Sequence, residues 1–115
     1  MRRGDVWLVD LEPIRGHEAD KVRPAVVVSN NGANSAADRR GHGVVTVVPL
    51  TGNTTRVLPF QTFLPAERTG LDQNSKAQAE QVRSVDSARL VRLIGVVPSS
   101  LMAGIDDDLR LHLAL

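Results

Sequence analysis

Short apolar runs separated by long polar stretches divide the chain into strands for most of its length and a helix at its end. The first run, Asp5 to Leu11, alternates so that Trp7, Val9 and Leu11 share one face, the period of a half-buried strand. A polar loop from Glu12 to Val22 follows, with Pro13 and Gly16 inside it. The next run, Ala25-Val26-Val27-Val28, has no polar alternate. Strands buried on both faces read this way, so Pro24 to Ser29 is predicted as a central strand. Asn30 to Gly43 is rich in Asn, Ala, Gly and Arg and reads as a long loop, with one helical turn at most over Ala33 to Asp38.

Val44 to Leu50 repeats the buried-strand pattern and stops at the turn cluster Thr51-Gly52-Asn53-Thr54. Val57 to Leu64 alternates through Leu58, Phe60, Thr62 and Leu64 and predicts a further strand. Ser75 to Ser84 reads as a polar strand and Leu93 to Val97 as a short apolar one. Beyond Pro98 the spacing changes to four: Leu101, Ile105, Leu109 and Leu113 fall on one helical face, with Ser99 or Ser100 available as its cap. Five or more short strands and one terminal helix predict a mainly β domain. A small barrel fits best, because closure removes exposed strand edges. The three aromatic residues, Trp7, Phe60 and Phe63, are expected in its core.

Composition narrows the chemistry. At 115 residues the chain is the size of one domain, taken as residues 1–115. It holds no cysteine, so disulfides, thiolate zinc sites and thiol catalysis are excluded. No apolar stretch of signal-peptide or membrane-spanning length appears, and a soluble cytoplasmic protein without a membrane partner is expected. The formal net charge is +1, which by itself does not mark a nucleic-acid binder. All but Lys21 and Lys76 of the 14 basic residues are arginine, the side chain whose planar fork suits phosphates and base faces. Asp106-Asp107-Asp108 cannot converge on one ion, because successive helical positions point about 100° apart. They are read as a solvated helix face, and neither a metal nor a cofactor is expected. His17, His42 and His112 are scattered and read as incidental.

Several segments together resemble the MazF/PemK family of toxins. They are Gly4-Asp5-Val6-Trp7 with Asp10-Leu11-Glu12-Pro13, then Gly16-His17-Glu18, then Arg23-Pro24-Ala25-Val26-Val27-Val28-Ser29-Asn30. Val48-Pro49-Leu50-Thr51-Gly52, Pro59-Phe60, Ala79-Glu80-Gln81-Val82-Arg83-Ser84 and Ile94-Gly95-Val96-Val97 continue the likeness in order over nearly the whole chain. The resemblance implies an SH3-like, PemK-type barrel that acts as a homodimer. It implies a sequence-specific endoribonuclease that cuts single-stranded RNA without a metal and is inhibited by a cognate antitoxin. A barrel of the same architecture that binds DNA gyrase without cutting anything is the alternative.

The implied reaction asks little of the protein. The 2′-hydroxyl of RNA lies beside the phosphodiester it attacks, so alignment, proton movement and charge stabilisation suffice. The products would be a 2′,3′-cyclic phosphate and a 5′-hydroxyl. By resemblance Arg23 and Thr51 are the catalytic pair, with Arg23 facing the crowded phosphoryl oxygens and Thr51 beside the turn at Gly52. Glu18 could position the 2′-hydroxyl, take its proton or read a base edge. Gln81 and Arg83, taken as alternating on one strand face, and Asn30, just beyond the Val run, are the remaining candidates for substrate contact. Which residue carries the proton is open.

Overall fold

In a computed structural model that describes residues 1–11 and 22–115, the chain forms seven strands and three helices. The strands are β1 (Asp5–Asp10), β2 (Val22–Val27), β3 (Val44–Thr51), β4 (Gln61–Leu64), β5 (Ser75–Gln78), β6 (Arg83–Asp86) and β7 (Leu90–Val96). The helices are α1 (Asn31–Arg40), the single turn α2 (Ala66–Thr69) and α3 (Ser99–Leu113). All pairings are antiparallel, in the order β4-β5-β3-β2-β1-β7, with β6 on β3 as well. The mainly β architecture expected from the strand pattern, with the SH3-like form that the resemblance implied, is the one observed.

The unbroken Val run behaves as a two-sided strand should. β2 lies between β1 and β3, and its successive residues feed two cores. Val26 packs with Val6, Val48, Leu50 and Leu64 beneath α3, where Met102 and Ile105 complete the layer. Ala25 and Val27 face the other way, with Val9, Val45, Val47, Val85 and Ala37 of α1. Trp7 and Leu11 pack against this second cluster beside Val9, as their alternation predicted. Each fully buried Val, Leu or Ile contributes about 1.5–3 kcal/mol, so both layers carry weight.

The barrel closes where α2 meets β7. Gly95 lies so near the Thr69 carbonyl that a Cβ there would fall well inside 3.0 Å of it, and Gly70 Cα would be 3.3 Å away. Gly70 itself ends α2 with φ +83. Two glycines thus let backbone pass backbone at the seam.

Several expectations are corrected. Asn30 to Gly43 is a ten-residue helix and its caps: Asn30 Oδ1 accepts from Ala33 N–H at 2.8 Å, and Gly41 closes α1 at φ +73. Its apolar signal is faint because only Asn34 and Ala37 are buried. The strand expected over Val57 to Leu64 contracts to Gln61–Leu64, since Gln61 N–H turns back to the Leu58 carbonyl after Pro59. The Ser75 to Ser84 strand breaks at a 3-10 turn, Ala79–Gln81, which hands the chain from one end of β3 to the other.

Pro98 stands at the N-cap of α3, where its carbonyl accepts from Leu101 and Met102 N–H, and neither Ser99 nor Ser100 caps the helix. Ser100 accepts from Arg68 instead, at 3.1 Å. Of its apolar strip Ile105 is buried, Leu101 and Leu109 pack on the core, and Leu113 is exposed. None of the three aromatics is fully buried, and Phe63 is 40% exposed. The three aspartates do diverge, but not all into solvent. Asp106 pairs with Arg3 at 2.5 Å and Asp107 with Arg110 at 3.0 Å. Asp108 is buried and accepts from Thr62 Oγ1 at 2.6 Å.

Candidate active site

Arg23 is the second residue of β2, is exposed, and pairs with Val9 of β1. Thr51 is the last residue of β3, half-buried, and pairs with Lys76 of β5. The β2–β3 ladder sets Ala25 opposite Pro49, Val26 opposite Val48 and Val27 opposite Val47. The ladder ends at Ala25–Pro49; carried two residues further, the same register would set Arg23 level with Thr51. Residues opposite one another in an antiparallel pair share a face, and alternate residues keep it. Both candidates therefore belong to the face of Ala25, Val27, Val45 and Val47, at the end where β2 and β3 leave the core.

Thr51 is held in a useful state. Its Oγ1 accepts from the Asn53 N–H at 3.3 Å, within the turn that ends β3. A hydroxyl has one hydrogen and two lone pairs, so this contact uses a lone pair and leaves the hydrogen able to donate elsewhere. Arg23 makes no side-chain hydrogen bond to another described residue, and its planar fork of donors is available to an anion.

Of the remaining candidates, Arg83 opens β6 opposite Val47, so it starts on the same sheet face as Arg23 and Thr51. Gln81 does not alternate with Arg83 along a strand; it ends the 3-10 turn and is exposed. That turn is anchored from below, because Gln61 Nε2 donates to Glu80 Oε2 at 2.7 Å and Val82 N–H closes onto the Ala79 carbonyl. Asn30 is at the far end of β2, roughly 20 Å along the strand from Arg23 at about 3.3 Å per residue. Within one chain the fold does not bring it to the Arg23–Thr51 rung. Glu18 and His17 lie outside the described residues.

Thr51 and Gly52 also border a cavity of about 240 Å³. Leu8, Pro24, Leu50, Leu71 and Ile94 give it an apolar floor, and Asp72, Gln73, Ser75 and Arg92 a polar rim. Sequence reasoning passed over Gln73 and Arg92, because the cavity draws on five separate chain segments and neither residue belongs to a local motif.

The fold is that of a small, mainly β barrel, and comparison with known proteins settles its family. The profile of the family described as PemK-like, MazF-like toxin of type II toxin-antitoxin system matches residues 2–113, and this chain belongs to that family. Endoribonuclease MazF9 of Mycobacterium tuberculosis is 56% identical over 115 residues, all of this chain and 98% of the relative. A chain of the MazE–MazF complex from Deinococcus radiodurans superposes with a TM-score of 0.80 at 25% identity, covering 100% of this chain and 96% of its own. A mycobacterial endoribonuclease bound to its cognate antitoxin gives 0.75 at 26% identity, covering 100% and 96%.

Proposed function

We propose that this chain is a sequence-specific endoribonuclease toxin that cuts single-stranded RNA without a metal ion and is held inactive by a cognate antitoxin. What supports the reading is the β2–β3 register, which, continued two residues beyond Ala25–Pro49, would set Arg23 level with Thr51. The 56% identity to a protein named as an endoribonuclease supports it over the gyrase-binding alternative. The antitoxin-bound relatives support the same kind of partner here. A homodimer acting in the cytoplasm, where RNA and antitoxin are made, completes the reading.

In the step itself the 2′-oxygen forms a bond to phosphorus while the bond from phosphorus to the 5′-oxygen breaks. The 2′-hydroxyl gives up its proton and the departing 5′-oxygen gains one, leaving a 2′,3′-cyclic phosphate and a 5′-hydroxyl. Arg23 stays charged throughout, so it stabilises the phosphoryl oxygens and is not the proton donor. The Thr51 hydroxyl, oriented by Asn53 N–H, donates to one of those oxygens. Glu18 positions the 2′-hydroxyl, and Gln81, Arg83 and Asn30 contact the strand elsewhere.

The test is incubation of the purified protein with mixed-sequence single-stranded RNA in excess EDTA, with product ends mapped. Cleavage at a recurring short motif with cyclic-phosphate ends is expected. Arg23→Ala should lose roughly 10²–10³-fold in rate, the usual cost of one preorganised donor, and should melt like the wild type. No cleavage by the folded, antitoxin-free protein would remove the ribonuclease reading and make a gyrase assay the next step.

A further inference from the structure

We propose that Gln61 is a positioning residue for cleavage. Its side chain clamps the turn that leads to Gln81 and Arg83 onto the connection that follows Thr51. It thereby sets where the RNA strand lies relative to the Arg23–Thr51 pair. The inference rests on the ribonuclease reading above and names a residue that reading leaves out.

Gln61 opens β4 opposite Gln78 of β5 and is only 8% exposed. A buried glutamine has to satisfy an acceptor at one end of its amide and donors at the other. Here Oε1 accepts from Leu58 N–H at 3.0 Å, and Gln61 N–H donates to the Leu58 carbonyl at 2.9 Å. Nε2 donates to Glu80 Oε2 at 2.7 Å. One side chain thus joins the turn at Leu58 to a second turn 19 residues away.

Both turns lead to the site. On one side, residues 52–60 run from Thr51 to Gln61. Asn53 N–H on Thr51 Oγ1 holds their start, and Gln61 holds their end. Between these, Lys76 Nζ reaches from its place opposite Thr51 to donate to the Arg56 carbonyl at 2.5 Å. On the other side, Glu80 is the middle residue of the 3-10 turn Ala79–Gln81. Exposed Gln81 follows it directly, and Arg83 opens β6 opposite Val47. A single 3-10 turn has poor internal hydrogen-bond geometry, so an outside tether decides how firmly it is held.

The polarity of the clamp is specific. Leu58 N–H asks for an acceptor and Glu80 for a donor; an amide supplies both, a carboxylate only the first. The bond to Glu80 is charge-assisted, about twice as strong as a neutral one. Glu80 Oε1 is buried and accepts from no described residue, so the Gln61 donor is the partner that keeps this carboxylate inside. An unpaired buried charge would swing outward and take the turn with it.

The experiment measures kcat and KM for one cleavable single-stranded RNA, and Kd for the same RNA carrying a 2′-deoxy sugar at the cut. Wild type, Gln61→Glu and the exchange Gln61→Glu with Glu80→Gln are compared below their melting transitions. Gln61→Glu sets a carboxyl against the Glu80 carboxylate. KM and Kd should rise roughly tenfold or more, as expected for losing one good hydrogen bond of a charged group. The kcat should stay within about threefold, because the Arg23–Thr51 pair is untouched. Acidification should shrink the defect relative to wild type at the same pH, since a proton shared between facing carboxyls restores a donor. The exchange reverses donor and acceptor across the clamp, keeps an acceptor for Leu58 N–H, and should return KM and Kd to wild-type values. A glutamine that only stabilises the fold would lower Tm and leave KM alone. Wild-type KM in Gln61→Glu, a fall in kcat alone, a pH-independent defect, or a KM still raised in the exchange would each overturn the clamp while leaving the ribonuclease intact. Absence of wild-type cleavage would overturn both.

Discussion

The seam between α2 and β7 sets up a sharp test of how this barrel closes. In Gly95→Ala the new Cβ would meet the Thr69 carbonyl oxygen well inside 3.0 Å, its carbon at 3.0 Å and Gly70 Cα at 3.3 Å. All three are backbone atoms, so no rotamer change relieves the clash. The α2 side cannot easily retreat, because the Thr69 hydroxyl donates to the Pro65 carbonyl at 2.9 Å and Gly70 is fixed at φ +83. Inserting one methyl into a packed site costs about 1–3 kcal/mol, and rigid neighbours place this case at the upper end, about 2–3 kcal/mol. For a domain of this size each kcal/mol lowers Tm by about 3–6 °C, which predicts a fall on the order of 10 °C. Far-UV circular dichroism melts at matched protein concentration would measure it. Gly41→Ala is the control: φ is +73 but nothing lies within 4 Å of the added Cβ. Only the left-handed conformation is penalised there, at about 1–2 kcal/mol. A Gly95→Ala protein that melts with the wild type, or above Gly41→Ala, would refute the steric account of the seam.

Three further outcomes are expected. Burial raises the Asp108 carboxyl above its ordinary 3.8, against the Thr62 hydrogen bond, with Asp107 and Glu80 adding repulsion. Its ionisation therefore costs stability as pH rises from 3.8 through the folded value, so Asp108→Asn should melt above the wild type at neutral pH. That advantage should fade on acidification toward 3.8; a pH-independent offset would contradict the linkage. Asn30→Ala should lose about 1 kcal/mol through the lost α1 cap while Asn30→Ser keeps it, and denaturant melts that do not separate the two would dismiss the cap. RNA affinity should weaken with salt, log K falling by about 0.7 per log unit for each phosphate neutralised, and a flat titration would exclude phosphate-dominated binding.

Much of the fold was written locally. The Ala25 to Val28 run announced a strand buried on both sides, and Trp7, Val9 and Leu11 announced their shared face. What local pattern could not carry was a change of partner. The polar alternation from Ser75 to Ser84 runs unbroken in sequence, yet β5 pairs with Thr51 and β6 with Val44 to Val47. At the break, Ala79–Gln81, Glu80 accepts from Gln61, a partner 19 residues away that no local pattern announces. Asp108 was unreadable for a similar reason. Its environment is Thr62, on another element 46 residues off, while its neighbours Asp106 and Asp107 find arginines. The α1 caps, Asn30 and Gly41, were visible signals outweighed by a helix with almost no apolar face.

The catalytic candidates show why core and site cannot be treated apart in this protein. Arg23 and Thr51 were legible only through resemblance, because nothing near either residue points to the other. It is the ladder of Ala25, Val26 and Val27 on Pro49, Val48 and Val47 whose register, continued two residues, points them at each other. Period-two geometry makes that register all or nothing: a slip of one residue turns every β2 side chain to the opposite face. Ala25 and Val27 would then enter the layer beneath α3, Val26 would enter the layer beneath α1, and Arg23 would turn away from Thr51. Neither layer is packed for the exchange. The valines that bury completely on both sides therefore fix the position of the arginine that stays in water. A repacking substitution at Val26 or Val48 is, in this barrel, a substitution in the site.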